Sequence, residues 1–131
     1  MSWDAWCDQA ITFKGKTVGV GAGIFCRQSG APWGVKPATF QIPQDVVMSI
    51  IQHIEGTRRD GVVINGNKYM FLRSIETDGN KYAMFKCKQD GLTCALANKC
   101  VIIGKYVEGM QGGQHTEAVY NMLTMLKSMN Y

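Results

Sequence analysis

Five consecutive segments between Gly61 and Val107 constrain the fold of this chain more than any other feature. They read GVVING, NKYMFLRSIE, NKYAMFKCK, LTCALA and KCVIIGKYV, and all five have strand composition. The breaks among them are Asn65-Gly66, Asp78-Gly79 and Asp90-Gly91. Such dipeptides supply the positive φ angles of a two-residue hairpin turn. Successive strands joined by tight turns predict an antiparallel meander. Upstream, VGVGAGIFCRQ reads as a further strand, SGAP as a turn and WGVK as its short partner.

Helical periodicity appears on either side of these strands. In PQDVVMSIIQHIEG, Pro43 sits near the first turn, Asp45 near the positive end, and Gly56 stops the helix. Val46, Val47, Ile50, Ile51 and Ile54 form its apolar stripe. His53 lies beside that stripe and reads as a partly exposed surface histidine. In HTEAVYNMLTMLKSMNY, Val119, Met122, Leu123 and Leu126 share one face. Thr116 or a neighbour caps that helix, and Glu117 complements its dipole. At the N-terminus Ser2 caps a helix with Asp4 in its first turn. The helix runs to about Thr12, with Trp3, Trp6 and Ala10 on one side. Helices at both ends flanking one antiparallel sheet make an α+β fold, in one domain over residues 1–131.

The totals exclude several functional classes. Hydrophobic residues make up 46% and charged residues 18%, which suits a folded core. No apolar run approaches the ~20 residues of a membrane span. The first residues have neither the basic nor the apolar region of a secretory signal, so a cytoplasmic protein is expected. The five cysteines are odd in number, scattered and free of any CxxC pair, and there are only two histidines. Free thiols packed as small hydrophobes follow, with no metal and no cofactor. A net charge of +4 suits an acidic partner or anionic headgroups. The cations are spread along the chain with no aromatic nucleic-acid signature, so no nucleic acid is expected.

No catalytic constellation is present. There is no HExxH, no GxSxG and no P-loop; VGVGAG lacks the Lys-Ser/Thr that a phosphate loop requires. A small enzyme using Cys26 or a histidine is the residual catalytic reading. A binding module fits better, because the chain places large aromatics at both ends. Trp3 and Trp6 stand near the start, Trp33 follows a proline turn, Met125 lies off the core stripe, and Tyr131 is the last residue. If the terminal helices lie side by side, these side chains meet. They form either a surface groove for a polyproline II ligand, with indole and phenol donors, or a mini-core that closes the sheet.

Several segments carry a family resemblance. MSWDAWCD resembles the N-terminal helix of profilins, and PWGVK their tryptophan-bearing second strand. FQIPQDVVMSII resembles the segment entering the second helix, and NGNKYMFLRS the strand with a Lys-x-x-x-x-Arg pattern. VIIGKYVEGMQGGQHTEAVYNMLTML resembles the last strand, Gly-rich turn and C-terminal helix. Order, spacing and total length together carry the match over nearly the whole chain.

The resemblance implies a central antiparallel sheet with the terminal helices on one face and shorter helices on the other. It implies a non-enzymatic, monomeric protein of the cytoplasm and cytoskeleton. Its partners would be monomeric actin, proline-rich proteins such as actin elongation factors, and phosphoinositide lipids peripherally. The proline-rich site would comprise Trp3, Trp6, Trp33, Met125 and Tyr131, with Leu126 beneath. Trp6 replaces a usual Tyr, and Met125 replaces a residue often aromatic or His; Met packs against proline rings but cannot donate a hydrogen bond. The actin face would comprise Lys68, Met70, Phe71, Leu72, Arg73, Lys86, Lys88, Met110, Gln111, Gly113, Thr116 and Glu117. Side chains alternate along a strand, so part of this set must be core, with Phe71 or Leu72 as the member lost. Lys68, Arg73, Lys86 and Lys88 would steer encounter with acidic actin, or are simply solvated strand charges. A proline-motif adaptor of the same fold with little actin binding is the alternative.

Overall fold

The computed structural model describes residues 3–131, so the expected Ser2 cap lies outside the described residues. Helix α1 covers Trp3–Trp6 and tightens into a 3-10 turn at Cys7–Ala10. The first helix is therefore shorter than the periodicity suggests. Strands β1 (Thr12–Phe13) and β2 (Lys16–Thr17) follow as a small hairpin. Then come β3 (Gly21–Cys26), β4 (Pro32–Lys36) and α2 (Gln44–Ile54). The meander comprises β5 (Val62–Ile64), β6 (Asn67–Thr77), β7 (Asn80–Cys87), β8 (Asp90–Leu96) and β9 (Cys100–Tyr106). Helix α3 covers Gly112–Ser128.

Seven strands form one antiparallel sheet in the order β4-β3-β9-β8-β7-β6-β5. The meander is the sequential part; the upstream β3–β4 pair docks on it through β9. Asn65-Gly66 and Asp78-Gly79 make the expected turns, with φ of 51° and 78°, then 52° and 76°. The third turn falls elsewhere. Cys87 pairs with Asp90, so Lys88 and Gln89 form the loop, and Gly91 lies inside β8.

Each face of the sheet has its own core. On one side α2 lays Val47, Ile50, Ile51 and Ile54 on Phe25, Phe85, Leu92 and Ile103. On the other, Cys7 and Ala10 join Val119, Met122, Leu123 and Leu126 of α3 over Ile24, Ala95 and Ile102. Central β8 and β9 are covered on both sides, which is why they read as apolar runs rather than alternating ones. The α+β arrangement expected from sequence is the one observed.

Two local expectations are corrected. His53 is wholly buried, not partly exposed. The segment after α2 folds back over it, placing the Asp60 carbonyl 2.6 Å from Nε2. Its Nδ1 lies 2.7 Å from the Ser49 carbonyl, and the Phe71 and Phe85 rings pack at 5.4 and 5.0 Å. Helix α3 begins before Thr116, with Gln111 as its N-cap residue and no acidic residue in its first turn. Thr116 is therefore interior to the helix, and the Gly112-Gly113 pair that resembled a turn is its opening.

Candidate functional site

Two surfaces take up the sequence-predicted residues. The first is built where the chain ends meet. Gly34 of β4 lets the α1 backbone lie directly on the strand: a Cβ there would stand 2.6 Å from the Trp3 Cβ and 2.8 Å from the Asp4 nitrogen. Asp4 fixes the contact, its carboxylate accepting from the Val35 N–H at 3.0 Å. Lys36 reaches Asp8 at 2.8 Å. From the other end, the Tyr131 N–H donates to the Leu126 carbonyl at 2.9 Å, and the Lys99 N–H donates to the Tyr131 carbonyl. These backbone bonds place the last residue beside the first helix.

The result is an aromatic triad. The Trp3 ring lies 5.1 Å from Trp33 and 4.9 Å from Tyr131, and Trp33 lies 6.2 Å from Tyr131. The tilted and edge-on contacts fit the quadrupoles of the rings. The three line an open depression of about 350 Å³. All three are half-buried, so each ring is held by the core and still reaches the surface. Leu126 lies buried in the same core cluster, and Met125 is 45% exposed on α3. Trp6 packs partly against that cluster and does not line the depression.

The second surface is the side of the sheet on which α3 lies, toward β6 and β7. Cross-strand partners share a face, so the register sorts the residues. Met70 pairs with Lys86, and Arg73 pairs with Met84. Thr116 of α3 reaches the Met84 sulfur at 3.8 Å, which identifies this as the α3 side. Phe71 pairs with Phe85 and faces the α2 core instead, 5.7 Å from that ring. A register shift between Phe71 and Arg73 leaves Leu72 as the extra residue, 56% exposed. Strict alternation would have sent Met70 and Arg73 to opposite faces; the bulge puts them on one.

Behind this surface sits Tyr106. A Cβ on Gly91 would lie 2.3 Å from the Tyr106 Cζ, so glycine inside β8 makes room for the ring. Lys86 stands 5.8 Å above that ring and His115 lies 5.0 Å from it. His115 is buried, with Nδ1 2.9 Å from the Thr93 hydroxyl. Its Nε2 has no hydrogen-bond partner among the described residues. Burial lowers its pKa to about 4. Thr93 in turn lies 3.4 Å from Thr116, so a polar chain runs from the core to the start of α3.

The rest of the implied actin set is at least partly exposed. Lys68 and Lys88 are exposed, Met110 is half-buried, and Gln111, Gly113 and Glu117 are exposed at the N-terminal end of α3. Val63, opposite Lys68 and 54% exposed, adds an apolar side chain near Met70; its place on an edge strand gave no signal in sequence. Among the described residues, no group of His, Cys, Asp and Glu is placed to hold a metal, and no helix is long and apolar enough to cross a membrane.

Comparison with known proteins agrees with this geometry. The profilin family model matches residues 1–131. Profilin-1 of Entamoeba histolytica is 30% identical over 135 residues, covering all of both chains. Acanthamoeba castellanii profilin IA superposes with a TM-score of 0.81 at 20% identity, covering 99% of this chain and 100% of that one. Mouse profilin IIa, solved in complex with a double repeat from the FH1 domain of mDia1, superposes with a TM-score of 0.73 at 16% identity, covering 100% of both. At those identities the two structures speak to the fold alone.

Proposed function

The chain belongs to the profilin family, and from that premise we propose that it binds monomeric actin on one surface and a proline-rich segment on another, regulating actin polymerisation. The observation that carries this reading is the triad of Trp3, Trp33 and Tyr131 around an open depression. Flat aromatic faces stack on proline rings, and indole N–H and phenol O–H groups donate to the carbonyls of a polyproline II helix. The mouse relative solved with an FH1 repeat supports a proline-rich segment of that kind as the ligand. Met125 flanks the triad with an adaptable side chain, Leu126 supports it from below, and Trp6 props the helix that carries Trp3.

Actin would dock on the α3 side of β6 and β7. Met70 supplies the apolar centre there, with Leu72 exposed on the neighbouring bulge. Lys68, Arg73, Lys86 and Lys88 supply positive charge toward an acidic partner, and Met110, Gln111, Gly113, Thr116 and Glu117 form the helical rim. Phe71 contributes from below, by packing on Phe85. Helix α3 carries both surfaces. Its 17 residues, about 25 Å long, run from one surface to the other, room enough for one monomeric chain to bridge two ligands. The chain makes and breaks no bond; nucleotide exchange on actin follows if it binds an open form of actin better than a closed one. The same strand cations would draw phosphoinositide headgroups at roughly 1 kcal/mol each, in competition with actin.

A bridging assay tests the proposal. Polyproline beads are incubated with actin monomers, with and without this protein. Actin retained only when the protein is present is the expected result. Retention of the protein without actin would leave only a proline-motif adaptor, and no retention of the protein would overturn the groove.

A further inference from the structure

Two cysteines stand directly opposite each other on neighbouring strands: Cys26 ends β3, Cys100 begins β9, and the register pairs them. The type of pair follows from the hydrogen bonds. The Arg27 N–H donates to the Lys99 carbonyl at 3.1 Å, so the next pair along is hydrogen-bonded and the cysteines occupy a non-hydrogen-bonded position. Consistently, the Cys26 N–H and carbonyl both turn away from β9, to Ala31 and Gly30. Non-hydrogen-bonded partners have Cα atoms about 4.5 Å apart and side chains on one face, at the near edge of the range a disulfide spans. Both thiols are free.

We propose that Cys26 and Cys100 are a peroxide-sensitive dithiol that closes to a cross-strand disulfide beside the aromatic triad. Cys26 is half-buried and lines an open cleft with Arg27, Trp33 and Lys99, whereas Cys100 is fully buried behind it. Cys26 is therefore the attacking thiol and Cys100 the resolving one. The Ser29 side chain first, then the backbone of Ser29 and Gln28, lowers the Cys26 pKa from its ordinary value. Burial, followed by the nearby Cys26, pushes Cys100 up to about 12.

The chemistry balances with a hydroperoxide as oxidant. The Cys26 thiolate attacks the peroxide O–O bond, takes one oxygen as a sulfenic acid, and releases water or an alcohol. The Cys100 sulfur then attacks the Cys26 sulfur. The S–S bond forms, the S–O bond breaks, and the oxygen leaves as water with the Cys100 proton. Two thiols lose two electrons and the peroxide gains them. The closed bond would lie one residue from Lys99, which holds Tyr131 through its backbone.

Peptide mapping decides the matter. The folded protein is treated with hydrogen peroxide, its remaining thiols are alkylated after unfolding, and the digest is read without reduction. The expected result is one linked peptide pair, Cys26 with Cys100, in monomeric protein, two hydrogens lighter and restored by dithiothreitol. Cys87, half-buried with Asp90 opposite, serves as the internal control and gains no intrachain partner. In Cys26→Ser, Cys100 stays alkylatable. Cys26 driven to sulfinic acid while Cys100 remains a thiol, or Cys26 joined to a second chain, would overturn the proposal. The wild-type map decides even where a variant fails to fold.

Discussion

Trp3 and Tyr131, from opposite ends of the chain, meet edge to face with centroids 4.9 Å apart and planes at 88°. An aromatic contact of this kind contributes about 1 kcal/mol beyond its buried area. Its geometry closes the terminal-helix core while leaving parts of both rings at the surface. Groove and mini-core are opposed readings of the sequence; half-burial of all three rings closes the mini-core and still leaves an open depression at the surface.

That cluster depends on Gly34, where the α1 backbone touches β4. Gly34→Ala places a methyl 2.6 Å from the Trp3 Cβ and 2.7 Å from its carbonyl carbon, both atoms that move only with the helix. We expect a loss of about 1–3 kcal/mol in urea unfolding. Polyproline affinity should fall in parallel, with actin affinity unchanged. An alanine variant of wild-type stability and affinity would contradict this packing.

The strand cations separate the two surfaces. Lys68→Glu with Arg73→Glu reverses charge beside Met70 and Leu72. Actin affinity should fall by roughly tenfold or more, chiefly through slower association at low salt. Polyproline binding should not change. Stopped-flow association at two ionic strengths reads the effect directly; an unaltered on-rate would remove these residues from the interface.

His115 sets a pH dependence. Burial lowers its pKa from 6.5 to about 4, so the unfolded chain binds a proton that the folded chain excludes. The stability associated with a neutral His115 is complete above pH 6.5 and is lost as pH falls through the folded value. That fall of about 2.5 pH units corresponds to about 3–4 kcal/mol. Urea unfolding between pH 7 and pH 4 should therefore show a steeper decline in wild type than in His115→Gln. Equal slopes would mean that the ring protonates in place.

The strands and the two longer helices were legible because periodicity and turn chemistry agree there; Asn65-Gly66 and Asp78-Gly79 turn as expected. Asp90-Gly91 misled because glycine serves two purposes. Inside β8 it makes room for Tyr106, a contact with a residue distant in sequence. His53 departs from expectation for a related reason: the Asp60 backbone that covers it follows the helix and has no periodic signature. The aromatic triad could be anticipated in membership, yet Trp6 falls outside its depression and packs partly against the terminal-helix core instead. The bulge that leaves Leu72 unpaired in the β6–β7 register has no local marker, and it alone decides which of residues 70–73 share a face. The cross-strand cysteine pair depends on long-range register, which scattered cysteines do not reveal.

The most direct test of the account is a titration of intrinsic tryptophan fluorescence with a polyproline peptide, for wild type and Trp3→Ala, with circular dichroism confirming that both are folded. The expected result is a saturable change in wild type that is lost in folded Trp3→Ala. A folded wild type whose fluorescence never responds, or a Trp3→Ala variant that binds as tightly as wild type, would contradict it.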